Sequence, residues 1–365
     1  MNKVVYPSPQ QRLISFNTFG IDVHAVKVMV IKTISQLLKA CKSSQQDNLP
    51  ILILGAGSNV LFLDDFIGTV IINRLKGIKI RETMEYWHLH VNSGEKWHTL
   101  VEYTIQNKIF GLENLAFIPG CVGSAVIQNI GAYGIEFNTF CEYVEILDLF
   151  HQNIFCLSAD KCKFQYRNSI FLHNYKNNYI ITAVGLLIKK NWQPHLIHPS
   201  LLFLDSSLTS PKKIFDTICS LRSRKLPNPK IIGNAGSFFK NPIIEAHQAM
   251  ELLCNFPKLP NSVQSNGLVK ISAGWLIEQC HLKGYRHGGA VVHNQHALIL
   301  INEKNATGWD IARLANIVRQ AVGKKFNIWL EPEVQFIGAH GKLTASEVIG
   351  DNSILEKNCL ILPRS

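Results

Sequence analysis

Apolar positions change their period several times along the chain, and each change marks a predicted element. Val26, Val30, Ile34, Leu37, Leu38 and Cys41 recur at helical spacing, which predicts one amphipathic helix over residues 24–41. Pro50 opens the apolar run ILIL (51–54), a strand that ends at Gly55, and TVIIN (69–73) predicts another after the polar stretch GAGSN (55–59). Residues 77–91 read as strands, with YWHLHV mixing aromatic and β-branched side chains. A helix follows, with Trp97, Leu100, Val101, Thr104 and Ile105 on one face and a stop at Gly111. EYVEILDLF (142–150) and YIITAVGLLIKK (179–190) predict a further strand pair.

In the second half, Ser210 is placed to cap a helix with Pro211 at its first position and Ile214, Phe215, Ile218 and Leu221 on its apolar face. The helix closes in Arg222, Ser223, Arg224 and Lys225, charges that suit a C-terminus or could clamp a diphosphate. LPNPK (226–230) is stiffened by two prolines and reads as a hinge between domains. GNAGS (233–237) predicts a turn carrying Ser237, helices are expected at 244–253, around Trp275, and at 309–322, and ALILI (297–301) predicts a strand. Residues 327–334 read as extended, since Pro332 biases Glu331 away from helix, and two-residue spacing puts Glu331 and Glu333 on one face. Strands, helix, glycine loop and strands in this order predict an α+β class without the regular alternation of a doubly wound sheet.

The densest chemistry lies at residues 118–134, IPGCVGSAVIQNIGAYG. Four glycines among small and apolar residues let the backbone approach a bound group closely, so the stretch reads as a cofactor cradle. Phosphate would meet free backbone N–H groups here, with Ser124, Gln128 and Asn129 available as side-chain partners. GAGSN resembles the dinucleotide fingerprint GxGxxG only superficially. Val60 stands in the third glycine's place and no room is left for a receiving helix, so it reads as a phosphate loop between strands.

A net charge of +11 suits anionic partners, yet the basic residues are scattered, with no arginine-rich run or aromatic strand to mark a nucleic-acid face. Nine cysteines with no CxxC pair argue against a disulfide framework or a metal site and fit reduced thiols in a cytosol. No run approaches the span of a bilayer. A soluble cytoplasmic protein is expected, without membrane or nucleic-acid partner.

Taken together, NTFG (17–20), LGAGSNVL (54–61), GLENLAFIPGCVGS (111–124), IQNIGAYG (127–134), GNAGSFFKNP (233–242) and WLEPEV (329–334) resemble the UDP-N-acetylenolpyruvoylglucosamine reductase family, nearly the whole chain being covered up to about residue 338. The resemblance implies a two-domain FAD-binding module of the vanillyl-alcohol-oxidase type plus an α+β substrate-binding domain. These would occupy residues 1–75, rejoined by a returning strand at 325–345, then 76–226, and then 227–324, with a C-terminal extension at 346–365. It implies FAD held by Gly55, Gly57, Ser58, Asn59, Gly120, Gly123, Ser124, Gln128, Asn129, Gly131, Ala132, Tyr133 and Gly134, and NADPH as reductant. The implied substrate is UDP-N-acetylglucosamine enolpyruvate, contacted by Tyr166, Lys225 and Asn241. In the catalytic roles the resemblance places Ser237 as proton donor, with Arg167 and Glu331 holding the substrate carboxylate and developing enolate. No metal is implied, and a monomer is expected.

The chain departs from the family pattern in two places. Ala125 and Val126 stand where the family usually has serine and proline, and an ungapped comparison puts His198 where one subgroup has a mobile tyrosine over the substrate. A flavin-dependent carbohydrate oxidase on the same scaffold would have no reason to retain Ser237 with Glu331, and a non-catalytic basic nucleotide-binding protein would rest on the charge alone.

Overall fold

The computed structural model describes residues 10–173 and 178–350. They divide into two compact units, one of residues 10–11, 25–57 and 67–224, the other of residues 12–24, 58–66 and 225–350.

The first unit corrects the helix expected over residues 24–41. His24–Ile31 is a strand, and the helix runs only from Ile34 to Gln46. Val26, Val28 and Val30 occupy every second position, and this β-branched alternation suits a strand better than a helix. The helix begins where Thr33 accepts the Gln36 N–H at 3.1 Å. His24–Ile31, Phe66–Asn73 and Ile51–Leu54 lie side by side in a four-stranded sheet edged by Gln11–Arg12, the last two of the three pairing in parallel. Leu37, Ala40 and Cys41 of the helix pack into a core that includes Ile31, Ile71 and Leu75.

A five-stranded antiparallel sheet makes the rest of this unit, in the order Asn153–Ser158, Cys141–Asp148, Tyr179–Lys189, Tyr86–Asn92, Ile78–Glu82. Side chains alternate across it, so Leu89, Val91, Val144, Ile146 and Val184 share the core with Trp97 and Leu100 of helix Trp97–Gln106, and with Ile214 and Ile218 of helix Pro211–Lys225. Each such large side chain removed from water stabilises the fold by about 1.5–3 kcal/mol. The Trp97 indole, fully buried, donates to the Leu115 carbonyl at 2.9 Å.

In the second unit, Gly233–Ser237, Ile299–Asn302, Ala290–Val292 and Arg286–His287 form a four-stranded sheet. Helix Gly308–Phe326 starts in a capping box, Thr307 and Asp310 satisfying each other's backbone N–H, and ends on Asn327 at φ 53°. A Cβ on Gly308 would lie 1.8 Å from the Phe62 carbonyl oxygen, so the backbones approach there as only glycine permits. Val60–Phe62 pairs in parallel with Gln335–Gly338, and that strand pairs with Gly341–Leu343.

Two expectations change here. GNAGS is a strand, not a turn. The helix expected at 244–253 is shifted to Ala246–Asn255, because Ile243–Ile244 pairs with Val269–Ile271. WLEPEV is extended as its proline implies, and the ladder of the strand after it begins at Gln335. A short helix, Ala345–Ile349, occupies the start of the expected C-terminal extension, whose residues 351–365 lie outside those described.

Candidate active site

In the first unit the stretch 118–134 is not the open loop that its glycines suggest. Val122–Ile127 is a helix, and its N-terminal amides are already committed. Val122 donates to the Glu95 carbonyl at 2.8 Å and Gly123 to that of Ser93 at 2.9 Å. The Ser124 hydroxyl accepts from the Cys121 N–H at 3.0 Å and donates to the Cys121 carbonyl at 2.7 Å. Asn129 is fully buried at φ 43°. Its amide donates to Glu136 at 2.8 Å and to the Gln165 carbonyl at 3.1 Å, while its oxygen accepts the Asn138 N–H at 2.9 Å. The side chains of Ser124 and Asn129, expected as phosphate partners, are therefore internal braces. Gln128 is buried beside them.

The loop after Ile51–Leu54 is braced from outside. Arg74 donates to the Gly55 carbonyl at 2.8 Å, and a Cβ on Gly55 would meet Cys121 at 3.1 Å, so this loop lies against the start of helix Val122–Ile127. Burial pushes the Cys121 thiol up, while Arg74, Lys76 and Lys96 pull it down and the Ala56 N–H donates to it. Lys76 is paired with Glu95 at 3.0 Å, and the positive charge of Arg74 and Lys96 beside close-packed glycine suits the diphosphate of a dinucleotide such as FAD. Ser58 and Asn59 belong to the second unit, where Asn59 donates to the Glu333 carbonyl at 3.1 Å.

Tyr133 and Arg167 sit at φ 48° and 51°, left-handed conformations that bulky side chains adopt only where surroundings impose them. Arg167 donates to the Gly131 carbonyl at 2.8 Å and lies 5.3 Å over the Tyr166 ring. A Cβ on Gly131 would be 3.1 Å from its guanidinium, and Gly120 and Gly134 take φ 114° and 86°. Ala132 pairs with Ile135 in the small hairpin between them.

Arg222, from the charge run that suits a helix C-terminus or could clamp a diphosphate, joins this group. It donates to the Phe117 carbonyl at 3.1 Å. Burial lowers its pKa, with Tyr133 raising it and the like charge of Arg167 lowering it further. Burial in turn pushes the Tyr133 phenol up. The signal was present: Ile214, Ile218 and Arg222 fall four residues apart, so the arginine continues the apolar stripe.

The second unit assembles its own group. Ser237 ends strand Gly233–Ser237 opposite Ile299, after a register irregularity that begins at Asn234 and contains Gly236 at φ 73°. Asn234 holds this bulge, its amide donating to the carbonyls of Ile232 at 2.8 Å and Pro227 at 3.1 Å and its oxygen accepting the Gly236 N–H at 3.0 Å. The chain then runs beside residues 331–333: Lys240 N–H donates to the Glu331 carbonyl at 2.9 Å, Glu333 N–H donates to that of Phe238 at 2.8 Å, and Phe239 bridges Pro332. The Lys240 ammonium lies 3.3 Å from the Glu331 carboxylate, which is 76% exposed. Asn241 accepts the Ala273 N–H at 3.0 Å, and exposed Lys225 is close enough to His296 to help burial and His293 lower its pKa. Among the described residues no cluster of three or more His, Cys, Asp or Glu could hold a metal.

A family model for an FAD binding domain matches residues 26–152, and one for the UDP-N-acetylenolpyruvoylglucosamine reductase C-terminal domain matches residues 227–337. Curated proteins named UDP-N-acetylenolpyruvoylglucosamine reductase from Escherichia coli (strain K12) and Salmonella typhimurium are each 53% identical over 334 residues, 92% of this chain and 98% of theirs. The chain belongs to the UDP-N-acetylenolpyruvoylglucosamine reductase family. A crystal structure of the reductase from Thermus caldophilus covers 90% of this chain and 98% of its own at a TM-score of 0.61 and 24% identity, a likeness of fold.

Within this reductase family the two departures acquire a physical setting. Ala125 and Val126 are 2% and 0% exposed, packed into the core by the inner face of their helix. His198 accepts the Ser200 N–H at 3.1 Å and meets Tyr133 edge-on, ring centroids 4.9 Å apart, so it is fastened to the cradle.

Proposed function

We propose that this chain catalyses the NADPH-dependent, FAD-mediated reduction of UDP-N-acetylglucosamine enolpyruvate to UDP-N-acetylmuramate in peptidoglycan precursor synthesis, as a cytoplasmic monomer. Family membership supports the reaction, and one feature of this chain carries the assignment of residues. The pairing of residues 238–240 with 331–333 brings Glu331 beside the segment that follows Ser237, although Lys240 and Glu331 are 91 residues apart. Among the described residues no helix is long and apolar enough to cross a membrane.

FAD would be held by Gly55, Gly57, Ser58, Asn59, Gly120, Gly123, Ser124, Gln128, Asn129 and residues 131–134. Gly123, Ser124 and Asn129, whose N–H groups are committed within the chain, would act by close approach and by shaping the backbone beside the cofactor, not as donors to it. When bound, it supplies hydride transfer, taken from NADPH and delivered to C3 of the enolpyruvyl ether. Addition at C3 builds negative charge on C2 and its carboxylate, and the Arg167 guanidinium stabilises that charge. Ser237 delivers a proton to C2; its hydroxyl is a weak acid in water, but a carbanion is basic enough to accept from a positioned hydroxyl. Glu331 acts on the enolate side through a bridging water, since a carboxylate accepts and cannot itself donate to a developing anion, and Lys240 fixes where it stands. Tyr166, Lys225 and Asn241 hold the sugar nucleotide. In this reading residues 1–75 with the returning 325–345 and residues 76–226 bind the cofactor, and 227–324 bind the substrate.

The test is anaerobic titration of the FAD-loaded protein with NADPH, followed by the enolpyruvyl sugar nucleotide. The flavin band should bleach and then recover. A colourless protein that takes up no FAD, or a bleached one that the sugar nucleotide fails to reoxidise, overturns the reading.

A further inference from the structure

Asn114 is fully buried in the short 3-10 turn Glu113–Leu115, and its amide makes two long-range hydrogen bonds. It donates to the Tyr133 carbonyl at 3.0 Å and to the His195 carbonyl at 2.9 Å, joining segments 62 residues apart in sequence. Its oxygen is buried and makes no hydrogen bond. A side chain kept there with an acceptor unsatisfied is held for what its donors do, since burying that oxygen alone is unfavourable.

Both bonded segments are conformationally demanding. Tyr133 stands at φ 48°, and Gly134 follows at φ 86° with its carbonyl 3.1 Å from His195 Nε2. A Cβ on Gly134 would lie 2.9 Å from Ile197, so the 195–198 segment is pressed onto the cradle. Three residues beyond His195, the His198 ring meets Tyr133 edge-on. Next to Asn114, Glu113 accepts from the Gly111 N–H at 2.7 Å and from the Trp192 indole, so the same turn also fastens the beginning of that segment.

We propose that Asn114 is a positioning residue for the cofactor cradle. By clamping the Tyr133 and His195 carbonyls together it holds Tyr133 in its strained conformation and keeps His198 on the cradle. The inference rests on the function proposed above only for the part of Tyr133 in holding FAD; the clamp itself is a property of the chain with or without cofactor.

Two readouts separate these. In Asn114→Leu, similar in size but without donors, hydrogen exchange of the apoprotein should accelerate at 131–134 and 192–198 while the five-stranded sheet keeps its protection. In the same variant the affinity for FAD, read by fluorescence quenching, should fall roughly tenfold. Should Asn114→Leu fail to fold, Asn114→Ser, which leaves room for water beside the two carbonyls, is expected to give the same local acceleration. Unchanged exchange in both segments in a folded variant, or acceleration spread evenly over the whole unit, overturns the proposal, as does an unaltered affinity for FAD. A wild-type protein that takes up no FAD would sink the reductase reading while the exchange measurement still decides the clamp.

Discussion

Lys240 and Glu331 meet twice, through the Lys240 N–H on the Glu331 carbonyl at 2.9 Å and through an ammonium 3.3 Å from the carboxylate. The backbone contact fixes where Glu331 stands, and the ion pair fixes which way its exposed side chain turns. Lys240→Met should leave the melting temperature nearly unchanged, since such an exposed pair contributes about 0–1 kcal/mol. Turnover with the sugar nucleotide should fall by roughly tenfold if the orientation of Glu331 matters to the reaction. Full turnover in a correctly folded variant would remove Lys240 from the site.

Removing the Ser237 hydroxyl separates the two halves of the reaction. In Ser237→Ala, bleaching by NADPH should proceed as in the parent, whereas reoxidation by the sugar nucleotide should slow by about 10²–10⁴-fold, the usual contribution of a positioned proton donor. Stopped-flow absorbance of the flavin band reads both.

The bulge before Ser237 depends on a single amide. Asn234→Ala would remove its hydrogen bonds to the half-buried Ile232 and Pro227 carbonyls and from the Gly236 N–H, at a cost of about 1–3 kcal/mol. Ser237 is three residues on, so reoxidation by substrate should fail while FAD affinity, measured by fluorescence quenching, changes little.

Gly123 tests the cradle. A Cβ there would lie 2.6 Å from the Ser93 Cβ, in a side chain that is buried and held by the Asn73 amide at 2.8 Å. Gly123→Ala should lower stability by about 1–3 kcal/mol through overpacking. Helix propensity works the other way, so an unchanged or raised melting temperature would show that Ser93 yields without cost.

Glu113 gives stability a pH dependence of known sign. Burial raises its pKa above the ordinary 4.5, against the bonds from Trp192 and Gly111. The folded chain then holds this proton more tightly than the unfolded chain, so its contribution is fully present below the ordinary value and is lost as pH rises through the raised one. Glu113→Gln cannot ionise. Relative to the parent, the variant should therefore gain stability between about pH 4.5 and about pH 8, whatever its absolute stability, as read by urea melts at both values.

Local pattern was enough for much of this fold. The strands at 51–54, 142–150 and 179–190, the helix behind Ser210 and Pro211, and the α+β class follow from periodicity and capping chemistry. The family follows from six motifs in order. Period alone misled at 24–31, because Val26 and Val30 fit a helical stripe as well as an alternating strand, and the neighbouring strand that settles the choice is 42 residues away at Phe66–Asn73. The same limit hid the strand Gly233–Ser237, whose glycines read as a turn until Ile299–Asn302 pairs with it.

By itself the sequence determined which chemical groups this protein possesses: a glycine-rich cradle, a serine, an arginine and a glutamate in recognisable surroundings. Tertiary structure decided what each group is free to do. Ser124 and Asn129 look like ligand partners until their hydrogen bonds are followed to Cys121, Glu136, Gln165 and Asn138, and Arg222 looks like a helix-end charge until its bond to the Phe117 carbonyl and its electrostatic coupling to Tyr133 and Arg167 are followed. The reason is that a side chain's hydrogen-bonding capacity is written in its residue type, whereas the partners that use up that capacity are brought to it only by contacts distant along the chain.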